Sequence, residues 1–179
     1  MLKAVIFDMD GVIIDSEPLH YQAYHQMFDE VGIDVSAELY DSLTGKSTIN
    51  VCKQLKDHFS LNHSPEELAT IKRRHYDVIF DNDKNFDLIS GVRSLIEDYH
   101  ENGLTLVLGS SATMASINRI FKRFELNTYF KDKLSGAELK ASKPHPEIFI
   151  KAAQASGFKP EECVVIEDAT NGIEAAKGA

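Results

Sequence analysis

The sequence predicts an α/β fold: a parallel sheet whose first strand is followed by an all-helical insertion. Three observations predict it. Short apolar runs end in acid or serine at residues 4–7, 104–109 and 163–166, as strands do that carry functional groups at their C-terminal ends. From Ser90 onward, such runs alternate with helical patterns, which implies βαβ units and strands buried on both faces. Between Asp15 and Leu88 only helical periodicity is present, which divides the chain into a core of residues 1–14 and 89–179 and an insertion of residues 15–88.

The first strand is Ala4, Val5, Ile6 and Phe7, apolar and twice β-branched, ending in Asp8-Met9-Asp10-Gly11. It reads as a buried strand that delivers two carboxylates to the sheet edge where open α/β folds bind ligands. Gly11 lets the chain leave at once. Asp8 and Asp10 share one side of the strand, and together they need a cation, a proton or both. Ser16-Glu17-Pro18 then opens a helix, with Ser16 as cap and Pro18 in the first turn. Leu19, Ala23, Tyr24, Met27, Phe28 and Val31 keep helical spacing up to Gly32. Residues 36–43 and 47–59 read as the next two helices. Ser64-Pro65-Glu66-Glu67 opens a fourth that reaches Phe80.

In the second half, residues 92–99 are helical and stop at Gly103. A strand over 104–109 ends in Ser110-Ser111, followed by a helix over 114–124, a short strand over 129–134 and a helix over 146–156. The strand at 163–166 ends in Glu167-Asp168, and Asn171 begins a last helix. A doubly wound sheet would continue beyond Ala179, so this end of the core is expected to be truncated, with the 163–166 strand as an uncovered edge.

Composition narrows the class. The chain has 179 residues, 28 acidic against 19 basic, and a net charge of −9. That argues against a nucleic-acid surface and for a soluble, cytoplasmic protein without a membrane partner. Cys52 and Cys163 have no metal spacing and read as two reduced, buried thiols.

Asp8 and Asp10, Ser110, Lys143, and Glu167 with Asp168 all fall at or just beyond strand ends. In a parallel sheet those ends share one edge, so the groups can converge. Carboxylates from two strands suit Mg²⁺. A lysine offers a point charge to a phosphoryl group, and a hydroxyl with nearby N–H groups takes the remaining oxygens. A carboxylate can attack phosphorus when a cation offsets the repulsion. Taken singly, each has an ordinary reading: Ser110-Ser111 as a helix cap, Glu167-Asp168 as another, Lys143 as a surface lysine.

The motifs in combination are specific. Asp8-Met9-Asp10-Gly11-Val12-Ile13-Ile14-Asp15-Ser16, Val107-Leu108-Gly109-Ser110-Ser111, Lys143-Pro144-His145-Pro146-Glu147-Ile148-Phe149 and Val165-Ile166-Glu167-Asp168-Ala169-Thr170-Asn171-Gly172 span nearly the whole chain. With them the sequence resembles the haloacid dehalogenase superfamily, in its beta-phosphoglucomutase-like phosphatase branch. The resemblance implies a three-layer α/β/α, Rossmann-like core with an inserted four-helix cap. It also implies roles: Asp8 as the nucleophile that becomes an aspartyl phosphate, and Asp10 as general acid, then base. Ser110, with the Ser111 backbone beside it, would bind phosphoryl oxygens, and Lys143 would offset negative charge. Asp8, the Asp10 main-chain carbonyl and Asp168 would hold Mg²⁺, with Glu167 as an outer or alternate ligand.

The insertion bears on specificity. His20, early in the first cap helix, lies where mutases of this branch couple cap closure to acid–base positioning; a surface or helix-face histidine is the plain alternative. Leu43-Thr44-Gly45-Lys46-Ser47 looks like the substrate loop of such a cap. Mutases place an arginine shortly after this glycine, and here Thr48 stands near that position with Lys46 as the close cation. Lysine does not replace a bidentate arginine. Lys72 fits a substrate-contacting lysine, whereas Arg73 and Arg74 read as a solvated helix face.

These departures favour a phosphatase of a small phosphorylated metabolite, a sugar phosphate foremost, acting as a monomer. The alternative within the same chemistry is a beta-phosphoglucomutase. A receiver-like phospho-acceptor would be one continuous domain with a mid-chain acceptor. A non-catalytic phosphate-binding module would not need every motif residue.

Overall fold

The computed structural model describes every residue of 1–179 except Gly45. The described chain resolves into two compact units, Met1–Ser16 with Asp87–Ala179, and Glu17–Phe86.

The first unit is built on a four-stranded, all-parallel sheet in the order β3-β2-β1-β4. Its strands are β1 (Ala4–Phe7), β2 (Thr105–Ser110), β3 (Phe130–Ser135) and β4 (Cys163–Ile166). The register pairs Ile6 with Val107 on one side and with Val165 on the other. Successive residues point to opposite faces, so each face gets its own layer. Ile6 and Val107 pack against Ile148, Phe149 and Ala152 of α7 (Glu147–Ser156) and Ala175 of α8 (Thr170–Lys177). On the other face, Phe7 meets Tyr99 of α5 (Val92–Glu101) and Phe130, which in turn meets Phe121 of α6 (Met114–Arg123). The unit is therefore three-layered, helices on both faces of a parallel sheet.

The strands are not all buried on both faces, as the apolar runs led one to expect. β1 is fully buried, but the outer strands are not: β3 alternates Phe130 with exposed Lys131 and Asp132, and Val164 of β4 is 41% exposed. Strand position explains this, since only the central pair has neighbours on both sides.

The regular elements among the second unit's described residues are all helices: α1 (Glu17–Val31), α2 (Ala37–Leu43), α3 (Thr48–Phe59) and α4 (Pro65–Asn82). Met27, Phe28, Leu43, Val51, Leu55 and Leu68 form its core. Two of these helices, α2 and α4, start on side-chain caps. Ser36 Oγ accepts from Leu39 N–H at 3.2 Å, and Ser64 and Glu67 form a reciprocal capping box at 3.1 and 2.7 Å. Of the two free thiols, Cys52 is buried here, but Cys163 on the edge strand is only partly covered.

Candidate active site

The chain runs from β1 outward through β2 to β3, then returns to place β4 on the other side of β1. The topological switch therefore lies between β1 and β4, where open α/β sheets form their ligand crevice. Asp8 follows β1 there, and Glu167 and Asp168 follow β4. The ends are tied by Asp8 N–H donating to the Ile166 carbonyl at 3.0 Å.

Asp8, Glu167 and Asp168 each offer a carboxylate oxygen within 4.8 Å of the others. Lys143 Nζ enters between two of them, donating to Asp8 Oδ1 and Glu167 Oε2 at 2.7 Å each. It is the opposite of a solvated surface lysine: it is nearly buried, with its ammonium 4.8 Å from the centre of the Phe149 ring. Burial pushes the Asp8 carboxyl up to about 7. The Lys143 charge and hydrogen bond pull it back, while Glu167 and Asp10 push it further up. Asp8, Glu167 and Asp168 against the single Lys143 ammonium make an oxygen-only, electron-rich donor set suited to a hard divalent cation. Glycines let these acids approach. A Cβ on Gly11, whose φ is +81°, would lie 2.1 Å from Asp168 Oδ2, and one on Gly172 would lie 2.0 Å from the Glu167 side chain. Neither Glu167 nor Asp168 caps α8; its cap position is Ala169.

Asp10 is outside that carboxylate group and sits on a tight turn. Ile13 and Ile14 N–H both donate to the Met9 carbonyl, at 2.8 and 3.0 Å, and Gly11 N–H donates to Ile14 at 2.8 Å. The turn brings buried Ser16 back to the strand end, where its Oγ donates to Asp10 Oδ1. Sequence reasoning gave Ser16 only a capping role; its spacing from Asp10 was the available signal.

At the end of β2, Ser110 is 1% exposed, and its Oγ accepts from Ala112 N–H at 3.1 Å. The hydroxyl proton remains available to an incoming oxygen. Neither Ser110 nor Ser111 caps α6: Thr113 does, accepting from Ser116 N–H at 3.3 Å.

Within the helical unit, His20 Nδ1 lies 2.6 Å from Lys72 Nζ, and the His20 ring stacks on Tyr76 at 4.6 Å. Lys72 is 4% exposed, with its ammonium 4.9 and 5.0 Å from the Tyr24 and Tyr76 ring centres. Burial, with the Lys72 charge beside it, drives the His20 imidazole down to about 3. Arg74 instead pairs with Glu30 on the surface. Thr44 is the exposed C-cap of α2, and Lys46 donates to Gln54 Oε1 at 2.9 Å. Gly45, between them, lies outside the described residues. No helix among the described residues is long and apolar enough to cross a membrane.

Known proteins agree with this architecture. The chain is 29% identical over 184 residues to a phosphorylated carbohydrates phosphatase of Thermotoga maritima, covering 99% of this chain and 82% of that protein. It is 32% identical over 180 residues to hexitol phosphatase B of Escherichia coli, covering 99% and 80%. A solved beta-phosphoglucomutase from Clostridium difficile superposes with a TM-score of 0.81 at 30% identity, over 99% of this chain and 81% of that one. The haloacid dehalogenase-like hydrolase family profile matches residues 5–179, and the chain belongs to that family.

Proposed function

We propose that the chain is a Mg²⁺-dependent phosphatase of small phosphorylated metabolites, sugar phosphates foremost, working through an aspartyl phosphate on Asp8. The observation that carries this reading is Lys143 bridging Asp8 and Glu167 at the switch point, beside Asp168, while Ser110 ends the adjacent strand. Relatives that act on phosphorylated carbohydrates and hexitol phosphates support the substrate class.

In this reading Asp8 attacks phosphorus: its carboxylate oxygen–phosphorus bond forms as the ester oxygen–phosphorus bond breaks, and Asp10 gives its proton to the leaving oxygen. Water then attacks the same phosphorus, Asp10 takes the water proton, and the Asp8–phosphorus bond breaks to release phosphate. Lys143 holds the nucleophile and balances its charge; Ser110 Oγ–H and the Ser111 backbone take phosphoryl oxygens. Asp8, Asp168 and the Asp10 carbonyl would hold Mg²⁺, with Glu167 alongside. When bound, the ion offsets the repulsion between the Asp8 carboxylate and the phosphoryl oxygens.

We assign substrate selection to the helical unit as a cap, with His20, Thr44, Gly45, Lys46 and Lys72 as its candidate contacts. A mutase needs a grip on a second phosphate, and Thr48 in place of an arginine weighs against that. The test is Mg²⁺-dependent hydrolysis of p-nitrophenyl phosphate, followed by a screen of sugar phosphates. Phosphate release from a sugar phosphate is expected; conversion of beta-glucose 1-phosphate to glucose 6-phosphate without release would establish the mutase instead.

A further inference from the structure

We propose that Ser135 is a positioning residue for the phosphoryl-binding loop, fixing Ala112 so that the Ser110 hydroxyl proton faces the phosphoryl group. The inference rests on the reading of Ser110 given above.

Ser135 ends β3 and is 4% exposed, yet no phosphoryl-binding role so far described needs it. Its Oγ–H donates to the Ala112 carbonyl at 2.7 Å. The N–H of the same Ala112 donates to Ser110 Oγ at 3.1 Å. Ala112 is thus held on both sides, and its N–H occupies an acceptor site on Ser110 Oγ. A hydroxyl has one proton and two lone pairs. With one lone pair engaged by the loop, the proton of Ser110 turns away from Ala112. Without the Ser135 bond, Ala112 loses one of its two anchors, the loop can carry its N–H away from Ser110 Oγ, and the hydroxyl loses its set direction.

The next residue reinforces the arrangement. A Cβ on Gly136 would lie 3.1 Å from Ser111 Cα and 3.2 Å from the Ser110 carbonyl oxygen, both backbone atoms. The end of β3 therefore abuts the loop closely enough that a Cβ there requires the loop backbone to give by a few tenths of an ångström. Ser135 and Gly136 act on the loop in two ways, one by a hydrogen bond and one by shape.

The experiment measures the affinity of the full chain for inorganic phosphate with Mg²⁺ present, as competitive inhibition and by direct titration. Wild type, Ser110→Ala, Ser135→Ala, the double variant and Gly136→Ala are compared. Ser135→Ala should weaken phosphate binding by about five- to tenfold, the worth of one oriented hydrogen bond. It should lower kcat/KM by a similar factor for aryl and alkyl phosphates alike. The double variant should bind no more weakly than Ser110→Ala alone, because Ser135 acts through Ser110. Gly136→Ala should weaken binding while leaving the Ser135 hydroxyl in place. Ser135→Ala with wild-type phosphate affinity, beside a weakened Ser110→Ala, overturns the proposal and leaves the phosphatase reading standing. Additive losses in the double variant also overturn it. Unchanged affinity in Ser110→Ala overturns it by a different route, through the role of Ser110 itself.

Discussion

Lys143 is the residue on which the electrostatics of the site turn. Two carboxylates, Asp8 and Glu167, meet one ammonium at 2.7 Å each in a nearly buried place. Removing that charge leaves both acids without their cation, the costly way to break a buried pair. Lys143→Met is expected to lower kcat by about 10²–10³-fold with an intact fold, checked by steady-state kinetics beside circular dichroism. Asp8→Asn removes the proposed nucleophile and is expected to lose about 10⁴-fold or more while the protein stays folded; activity near wild type would remove Asp8 from the mechanism. Asp8 and Glu167 were legible in the sequence because each follows an apolar strand, and strand ends in a parallel sheet share an edge; Lys143, well past the half-solvated β3, was legible through its Lys143-Pro144-His145-Pro146 motif. Ser135 was not. A serine at the end of the partly exposed β3 says nothing about a carbonyl 23 positions earlier, and that contact exists only once β2 and β3 pair.

At the scale of elements, the strand ends are shaped by glycine as much as by acid. Gly11 combines a positive φ with a position where any side chain would displace Asp168. Gly11→Ala is expected to cost roughly 1–3 kcal/mol in strain, read as a lower thermal midpoint. It should also raise the Mg²⁺ concentration needed for half-maximal activity. In the helical unit, the link between α1 and α4 carries a pH dependence. The His20 imidazole is held at about 3 when folded, against 6.5 ordinarily, so the unfolded chain binds its proton more readily. Its contribution to stability is full above pH 6.5 and is lost as pH falls from there toward 3. His20→Asn keeps an acceptor for Lys72 but does not titrate. Its unfolding profile should be flatter than wild type across that window, as checked by denaturant melts at several pH values. Periodicity put His20 and Lys72 on helices, but could not show that residues 52 positions apart pair in an aromatic enclosure.

For the whole molecule, the architecture was readable because the order of apolar runs and helical patterns matches the order of strands and helices. The apolar runs predicted β1, β2 and β4 to within a residue, and the break in their alternation exposed the helical insertion. β2 and β3 were each placed one residue early, and β3 alone, Phe130-Lys131-Asp132-Lys133-Leu134-Ser135, carries the sequence of a half-solvated outer strand. Burial of outer strands was overestimated because apolar content does not reveal how many neighbours a strand has. If the carboxylates at the switch point bind Mg²⁺ in the folded state only, Mg²⁺ at a hundred times its Kd should stabilise the protein by about 2.7 kcal/mol, and a chelator should remove both that gain and the hydrolysis.

In the proposed mechanism, phosphate passes through a covalent bond to Asp8. The direct measurement is borohydride reduction of the protein during turnover of p-nitrophenyl phosphate with Mg²⁺, followed by peptide mass spectrometry. An acyl phosphate is reduced to an alcohol, so homoserine is predicted in place of Asp8, and only when substrate is present. Steady hydrolysis with Asp8 recovered unmodified, or with the reduced residue found in place of Asp10, would contradict the account.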